Sequence, residues 1–412
     1  MIDPALTPEQ AVARLRRKGR PALFFDGRGA WQGSAWPTRV AIDPTPIAGD
    51  LSAIDQTVRD RRKKGGPGGT GIAVVLAYEL FAKRADPNLP GSAAFAVDGS
   101  IAFPDGAPPR VVGPYDLTDR LKDPAKPASG FSSHPLRTSL PREHYLEAVR
   151  RVQRHIAAGD IYQANLTQRF ACDFDGDPWA LYRNLTESTQ APRSAFIDAG
   201  DWALASVSPE TFVDIDKAGV ATTLPIKGTR PRGETPEEDD AMKRDLLASA
   251  KDRAELTMIV DLERNDLGRI AKTGTVRVED LATLKTYPAV HHLVATVKAD
   301  LKDGTGFEAL VRAVFPGGSI TGAPKLRAVE ILESLEPVPR GYYTGSLFFL
   351  DDDGSTWSSI LIRSVVVARG VAHLGAGGGV VADSDPEGEW MESNAKARAL
   401  TRVLGFEPEE AE

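Results

Sequence analysis

The distribution of apolar residues becomes regular after Pro141. Apolar side chains then recur every three or four residues, which is the spacing of one helix face. They are Tyr145, Val149, Val152 and Ile156. Gly159 follows where helices commonly end in a left-handed residue. The pattern predicts a helix that ends near Gly159, followed by a strand over residues 161–170.

The second half of the chain alternates helical and strand-like patterns. Residues 236–262 predict one helix, with Pro236 in its first turn. Strand-like runs joined by short glycine turns cover residues 345–350, 359–368 and 370–375. A helix over residues 386–404 is expected after them. Because short turns between strands favour antiparallel pairing, these elements indicate an α+β fold rather than a doubly wound parallel sheet.

The first 135 residues carry weaker patterns. Residues 1–85 mix short apolar runs with a glycine-rich, basic stretch at residues 61–70 that predicts a loop. Between residues 86 and 135, prolines and glycines recur every few positions. We therefore expect a long connection there with little regular structure.

Composition narrows the classes of function. The 412 residues carry a formal net charge of −7, so a broad nucleic-acid-binding surface is not expected. Cys172 is the only cysteine, which argues against disulfides and cysteine-rich metal sites. The sequence has no signal-peptide core and no run of about 18 apolar residues. We expect a cytoplasmic protein without nucleic-acid or membrane partners.

Two glycine-rich segments, residues 316–325 and 375–380, resemble nucleotide-binding loops only superficially. In the first, two residues separate the last glycine from Lys325, which breaks the Walker pattern. In the second, Val380 stands where a dinucleotide fingerprint needs its third glycine. Glycine-rich backbone can still hold carboxylates through its N–H groups, and ordinary tight turns are the alternative.

Three glutamates are candidate metal ligands. Glu389 and Glu392 share a face of the last predicted helix, and Glu255 lies within the helix predicted for residues 236–262. Magnesium needs only one or two protein carboxylates, because water and substrate oxygens complete its shell. Taken without other information, these side chains fit a solvated helix face better.

Lys227 and a histidine pair are further candidates for chemistry. Lys227 stands between apolar residues and Gly228, where partial burial would lower its pKa and free its amine as a nucleophile. Spacing by itself favours a surface lysine. His291 and His292 are adjacent in an extended segment, so at most one of them faces a site.

Five motifs in one order resemble the chorismate-utilising enzymes. They are PIKGTRPRG (225–233), DLERNDLGRI (261–270), HHLVATV (291–297), PGGSITGAPK (316–325) and GAGGGVVADSDPEGEWMESNAKA (375–397). This family includes component I of anthranilate synthase and of aminodeoxychorismate synthase, isochorismate synthase and salicylate synthase. The resemblance implies a large interwoven α+β unit of two face-to-face antiparallel sheets flanked by helices. Residues 1–135 would contribute to that unit, and residues 136–412 would form its chorismate-binding catalytic region.

The resemblance also implies roles for individual residues. Glu255 and Glu392 match glutamates that hold Mg²⁺ against the substrate carboxylate, and Glu389 is a further candidate. Glu210 matches the general acid that protonates the departing C4 hydroxyl, and His292 matches the histidine that orients the ring substituents. The residues expected to contact chorismate are Arg363, Tyr343, Gly377, Gly378, Gly379, Thr321, Gln163 and Lys396.

Two positions distinguish the reactions within this family. Isochorismate and salicylate synthases have a lysine base where this chain has Gln163, so activation of water at C2 is not expected. Anthranilate synthases typically have alanine at the position of Lys227, whereas PIKGT is typical of aminodeoxychorismate synthases. The implied reaction passes through a covalent adduct of Lys227. Anthranilate synthesis is the first alternative, and a catalytically silent chorismate-binding protein is the second.

The ammonia for such a reaction needs a source. The sequence has no glutaminase nucleophile motif, and Cys172 lacks the glycine surroundings of such a nucleophile. The resemblance therefore implies a separate glutamine amidotransferase subunit. The expected product is 4-amino-4-deoxychorismate, the precursor of 4-aminobenzoate in folate biosynthesis.

Overall fold

The computed structural model describes residues 2–17, 19–28, 36–82, 84–122, 129–189, 191–287 and 290–411. The helices in these ranges are α1 (Pro8–Leu15), α2 (Leu51–Lys64), α3 (Arg142–Ala157), α4 (Pro178–Ser188), α5 (Pro236–Ala248), α6 (Ala250–Gly268), α7 (Phe307–Val314), α8 (Lys325–Leu335) and α9 (Pro386–Val403). Short 3₁₀ helices cover Tyr78–Phe81, Gly318–Ile320 and Pro408–Glu410.

The strands in chain order are β1 (Ala22–Asp26), β2 (Arg39–Ala41), β3 (Thr45–Ile47), β4 (Gly71–Leu76), β5 (Ser92–Val97), β6 (Ser100–Ala102), β7 (Arg110–Val112), β8 (Phe131–Ser133), β9 (Arg137–Thr138), β10 (Gln163–Gly176), β11 (Arg193–Asp198), β12 (Trp202–Ser208), β13 (Asp214–Ile215), β14 (Val220–Thr223), β15 (Ile226–Pro231), β16 (Arg277–Thr286), β17 (Val290–Asp300), β18 (Gly322–Ala323), β19 (Ser346–Asp351), β20 (Thr356–Ile360), β21 (Ser364–Ala368) and β22 (Val371–Val380).

These strands form two antiparallel sheets, which confirms the predicted α+β class. One sheet has the order β18-β10-β22-β21-β12-β11-β1-β2-β6-β7, with β8 and β9 also paired to β10. The other has the order β15-β17-β14-β13-β20-β19-β4-β5-β3, with β16 also paired to β17. Strands from the first 112 residues extend both sheets, because β1 pairs with β11 and β4 pairs with β19.

The two sheets pack face to face, and side-chain alternation along β4 shows how. Ala73 and Val75 belong to a buried cluster that also contains residues of β1, β11 and β12 from the opposite sheet. Ile72, Val74 and Leu76 point the other way, into a cluster with α2, α6 and α7. Because strand side chains alternate in direction, one short apolar run supplies both cores. Helices α1, α4 and α9 cover the outer face of the first sheet.

Three predictions from local sequence were wrong. The loop predicted for residues 61–70 begins only after Lys64, because the basic residues 61–64 form the last turn of α2. Residues 86–135 contain strands in both sheets, because small residues in β5 still pack against β4 despite the prolines around them. The helix predicted for residues 236–262 is two helices, broken at Ser249. That residue has an extended conformation, and its hydroxyl accepts a hydrogen bond from the backbone N–H of Asp252. A side-chain oxygen in this position caps a new helix.

The C-terminal strands also differ from the prediction. Residues 359–368 are divided between β20 and β21, and Arg363 in the break has a φ of 50°. The glycines at 375–379 form part of β22, paired with β10, rather than a loop. A Cβ on Gly375 would lie 2.1 Å from the ring of Tyr343, and one on Gly377 would lie 2.1 Å from the carbonyl oxygen of Leu166. Close packing explains these glycines better than turn formation.

A buried arginine ties these elements together beneath β10. Arg340 donates two hydrogen bonds to Glu336, at 2.7 and 2.8 Å. It also donates to the carbonyl oxygens of Ile320 and Asn165 and lies 4.3 Å from the ring centre of Tyr78. One guanidinium therefore joins the segment after the Gly318–Ile320 helix to β10.

Replacing Arg340 with methionine should lower the free energy of unfolding by about 3 kcal/mol or more, because the buried Glu336 carboxylate loses its partner. Chemical denaturation would measure the loss. The double variant with Arg340→Met and Glu336→Leu removes both charges and should recover most of the stability. Equal stabilities of Arg340→Met and the parent protein would show that the ion pair contributes little.

Candidate functional site

A cavity of about 620 Å³ lies where the β22 end of one sheet approaches the β15 end of the other. Its wall combines β15, β17, β22, α6, α9 and the loop after β12. Eleven of the residues predicted from the sequence line it: Glu210, Lys227, Glu255, His292, Tyr343, Arg363, Gly377, Gly379, Glu389, Glu392 and Lys396. Residues far apart in sequence therefore meet in one cavity.

Lys227 lies on β15 just before an irregularity in its pairing with β17. Gly228 follows with a φ of 71°, and a Cβ there would be 2.9 Å from Asp252. The Lys227 amine donates to the carbonyl oxygen of Ser319 at 3.3 Å. Burial lowers its pKa, although Glu255 and Glu210 act in the opposite direction. Burial thus makes the neutral, nucleophilic form of the amine more accessible.

Glu210 follows β12 and is buried. Burial raises the pKa of its carboxyl, and the positive charge of Lys227 opposes this effect. Its Oε1 atom has no hydrogen-bond partner within the described ranges. A buried carboxyl with a raised pKa retains its proton to higher pH than an exposed one, which suits a proton donor.

The two adjacent histidines face opposite sides of β17, as predicted. His291 hydrogen-bonds Asp239 at 2.9 Å and Thr286 at 3.0 Å, away from the cavity. His292 lines the cavity, and its Nδ1 lies 2.8 Å from the hydroxyl oxygen of Thr229. Burial, together with the charge of Arg363, lowers the pKa of His292 to about 4. At neutral pH its ring is therefore uncharged.

Acidic and basic side chains face each other in the cavity wall. Burial raises the pKa of Glu255 and of Glu389. For Glu392 the upward effect of burial is outweighed by Lys396, 2.7 Å away, which leaves the pKa of Glu392 lowered. Lys251 lies 3.9 Å from Glu255. Carboxylates gathered here, with lysines balancing their charge, fit an oxygen-bound divalent cation such as Mg²⁺.

These carboxylates would not enclose an ion by themselves. Across the described ranges, no three His, Cys, Asp or Glu side chains are arranged to hold a metal together. Glu255 and Glu392 come from two different helices and line the same cavity. The donor set thus leaves several coordination positions for water or an anionic substrate.

Arg363 adds a positive charge to the cavity wall. Within the described residues, its guanidinium forms no ion pair with a carboxylate. Tyr343 packs directly over Gly375 on the same wall. An unpaired arginine beside glycine-rich backbone is suited to bind a carboxylate in a bidentate manner.

Three of the expected substrate-contacting residues lie outside the cavity lining. Thr321 is buried and donates to the carbonyl oxygen of Gly317 at 2.9 Å, so its hydroxyl stabilises the glycine-rich segment. Gln163 is buried behind Gly379, whose missing Cβ would lie 2.2 Å from its Nε2. A Cβ on Gly378 would lie 2.8 Å from Glu389. Glycine at 378 and 379 makes room for these side chains.

Other cavity residues were not singled out from the sequence. Asn165, Ser319 and Lys251 all line the cavity. Ser319 belongs to the PGGSITGAPK motif, so the motif could have identified it as a cavity residue. Lys251 lies in a charged helical segment that is typical of a solvated surface, so only the tertiary structure identifies it.

Known proteins resemble this chain over most of its length. Residues 76–402 match the family described as chorismate binding enzyme. Aminodeoxychorismate synthase component 1 of Klebsiella aerogenes is 46% identical over 268 residues, which cover 65% of this chain and 59% of that protein. Anthranilate synthase component 1 of Thermus thermophilus is also 46% identical, over 264 residues covering 64% of this chain and 57% of that protein. The chain thus aligns with less than two thirds of the length of these relatives.

Solved structures share the fold. Anthranilate synthase component I from Streptococcus pneumoniae has a TM-score of 0.73 and 25% identity, covering 94% of this chain and 93% of that one. The menaquinone-specific isochorismate synthase of Escherichia coli has a TM-score of 0.80 at 17% identity, covering 97% and 92%. Among the described residues, no helix is both long and apolar enough to cross a membrane. On the family match, the chain belongs to the chorismate binding enzymes.

Proposed function

We propose that this protein converts chorismate and ammonia to 4-amino-4-deoxychorismate, the step that leads to 4-aminobenzoate and folate. The observation that carries the proposal is Lys227, whose amine lies in the cavity within electrostatic range of Glu210 and Glu255. A nucleophile is needed to place the new amine at C4, because it divides the substitution into two displacements.

Anthranilate synthesis is the competing function. Identity does not separate the two activities, since relatives of each kind are 46% identical to this chain. The chemistry does separate them. Direct amination at C2 needs no enzyme nucleophile, and a buried lysine in the reaction cavity would have no part in it. Lys227 therefore favours amination at C4.

The reaction can be written with the residues of this chain. The neutral amine of Lys227 attacks C2 of chorismate, and the C4 hydroxyl leaves as water with a proton from Glu210. Both ring double bonds shift by one bond as the C2–N bond forms and the C4–O bond breaks, and they shift back in the second displacement. Ammonia then attacks C4, and the amine of Lys227 leaves C2. Neutral His292 would orient the ring substituents, and Arg363 would bind a substrate carboxylate.

Glu255 and Glu392 would hold Mg²⁺, with Glu389 close by. The ion would supply a fixed positive charge that binds and orients a carboxylate of chorismate. Lys251 and Lys396 balance the same carboxylates in this structure.

Replacing Glu392 with glutamine should weaken Mg²⁺ binding by at least about tenfold. Loss of a group that only orients a metal ligand already lowers metal affinity by about tenfold, and Glu392 would be a ligand itself. Titration calorimetry with Mg²⁺ would measure the affinity. The control is Glu387→Gln on the same helix, because Glu387 pairs with Arg142 and is not among the cavity residues. Unchanged affinity in Glu392→Gln would remove this residue from the metal site.

We further propose that a separate glutamine amidotransferase subunit supplies the ammonia in a cytoplasmic complex. The relatives named component 1 support a partner component. Cys172 is not suited to glutamine hydrolysis, because burial raises the pKa of its thiol to about 11. A thiol of that pKa is almost entirely protonated at neutral pH and is a poor nucleophile.

Product analysis tests the proposed function. The purified protein would be incubated with chorismate, Mg²⁺ and an ammonium salt, and aminodeoxychorismate lyase would be added to half of the reaction. We expect 4-aminobenzoate only in the half that contains lyase. Anthranilate without lyase would establish the competing function, and unchanged chorismate in both halves would indicate a catalytically silent protein.

A further inference from the structure

The DLERNDLGRI motif on α6 has no role in the mechanism above. Three of its charged residues, Glu263, Asp266 and Arg269, follow one another at intervals of three and therefore lie along one side of the helix end. Arg269 is exposed, whereas Asp266 is buried. The motif thus runs from an exposed residue at the helix end to side chains that pack inside the protein.

Glu263 is partly buried and lies one turn before Asp266 on the same side of the helix. Its Oε2 atom is buried and has no hydrogen-bond partner at normal distance in the described part of the chain. The hydroxyl of Thr223 faces it, and the charged groups that face it are Glu210, Asp266 and Lys325. Burial raises the pKa of Glu263 to about 8. Near neutral pH this carboxyl therefore holds a proton that it can exchange.

Glu263 lies behind the cavity wall rather than in it. It does not line the cavity, whereas Glu210 and Ser319 do. Its neighbour Leu262 packs against the segment that carries Ser319, because a Cβ on Gly318 would lie 2.6 Å from Leu262. Oxygens of Glu210, Ser319, Thr223 and Glu263 are all buried without a normal hydrogen bond from described residues. Glu210 lines the cavity and its charge acts on Glu263, so it is the group through which Glu263 can affect the substrate.

The reaction creates a need for such a group. In each turnover Glu210 gives one proton to the departing hydroxyl, which leaves as water. Ammonia adds at C4 with its three protons, and Lys227 leaves C2 as a neutral amine. If the product leaves as an ammonium ion, Glu210 ends the turnover ionised and one proton short.

We propose that Glu263 acts through Glu210 as a proton reserve that reloads the general acid after each turnover. The inference rests on the function proposed above. Glu263 would act as a positioning residue that supplies a proton to Glu210, because it does not line the cavity that would hold substrate and metal. Asp266 and Lys325 form an ion pair whose charges also act on Glu263, and the exposed Arg269 acts on Asp266 in turn. This pair would return the proton from solvent.

The test compares a single turnover with steady-state turnover in Glu263→Gln, which keeps the size of the side chain but cannot exchange a proton. With enzyme in excess over chorismate, Glu210 starts protonated, so the single-turnover rate should equal that of the parent protein. Steady-state kcat should fall about tenfold, less than the roughly hundredfold or greater loss expected on removing a direct proton donor. A packing defect would slow both rates together.

Two further variants complete the design. Glu263→Met has a similar length without an exchangeable proton, and should show the same division of rates if Glu263→Gln does not fold. Glu263→Asp restores an exchangeable carboxyl and should recover part of kcat. Equal kcat in Glu263→Gln and the parent protein would overturn the proton reserve. Absence of lyase-dependent product from the parent protein would instead overturn the proposed function.

Discussion

Replacing Lys227 with alanine should lower the rate of 4-amino-4-deoxychorismate formation by about ten-thousandfold or more, the scale of losses seen when a covalent nucleophile is removed. The amine lies in the cavity close enough to Glu210 for their charges to interact. Without it, the substitution at C4 cannot be divided into two displacements. Product formation with ammonium salt and excess lyase would measure the effect.

The control for this experiment is Lys227→Arg, which keeps a positive charge but is a poor nucleophile because guanidinium remains protonated. It should be as inactive as Lys227→Ala. Intact-protein mass spectrometry without ammonia should detect a chorismate-derived adduct on the parent protein and on neither variant. Slow anthranilate formation by Lys227→Ala is compatible with the proposal. Undiminished 4-amino-4-deoxychorismate formation by that variant would reject the covalent route.

Local periodicity predicted the elements whose core faces are continuous. The helix before Gly159 is α3, and Gly159 has a φ of 79° just after its end. The final helix is α9, within one residue of the prediction at its end. The buried residues of α3 are apolar or aromatic along its whole core face, so the repeat in the sequence reflects the packing directly. The buried face of α9 also contains Glu389, Ser393 and Asn394.

Elements whose limits depend on distant contacts were not predictable in this way. Arg363 interrupts an apolar run because the chain turns there in a left-handed conformation. The sequence predicted a loop at the glycines of β22. In the structure these glycines instead leave room for the side chains of Tyr343, Gln163 and Glu389. No property of glycine itself distinguishes a turn from a close approach between two chains.

The candidate site could be predicted from motifs, but its electrostatics could not. Glu210, Lys227 and His292 each have a pKa shifted mainly by burial. Burial depends on all the elements around a side chain, so the residue types by themselves did not predict whether each pKa would be raised or lowered. Glu263 illustrates the difference: within its motif it resembles a solvated helix residue, and only the packing of the folded chain encloses its Oε2 atom and raises its pKa.

Replacing Glu210 with glutamine should lower kcat by about a thousandfold, within the range attributed to a positioned general acid. Glutamine keeps the size of the side chain, so chorismate binding should change little. Glu210→Asp keeps the acid but shortens its reach, and should retain more activity than Glu210→Gln. Similar kcat values for Glu210→Gln and the parent protein would mean that another group protonates the departing hydroxyl.

The pH dependence gives a second test of Glu210. The active form needs Lys227 neutral and Glu210 protonated, so the parent rate should fall toward acid as Lys227 gains a proton and toward alkali as Glu210 loses one. Burial lowers the pKa of Lys227 and raises that of Glu210, which brings the two limbs closer than in exposed groups. In Glu210→Gln only Lys227 titrates. With free ammonia held constant, the residual rate of this variant should therefore rise with pH and then become constant, because glutamine at position 210 has no proton to lose. An alkaline fall in rate that persists in Glu210→Gln would assign the alkaline limb to a different group.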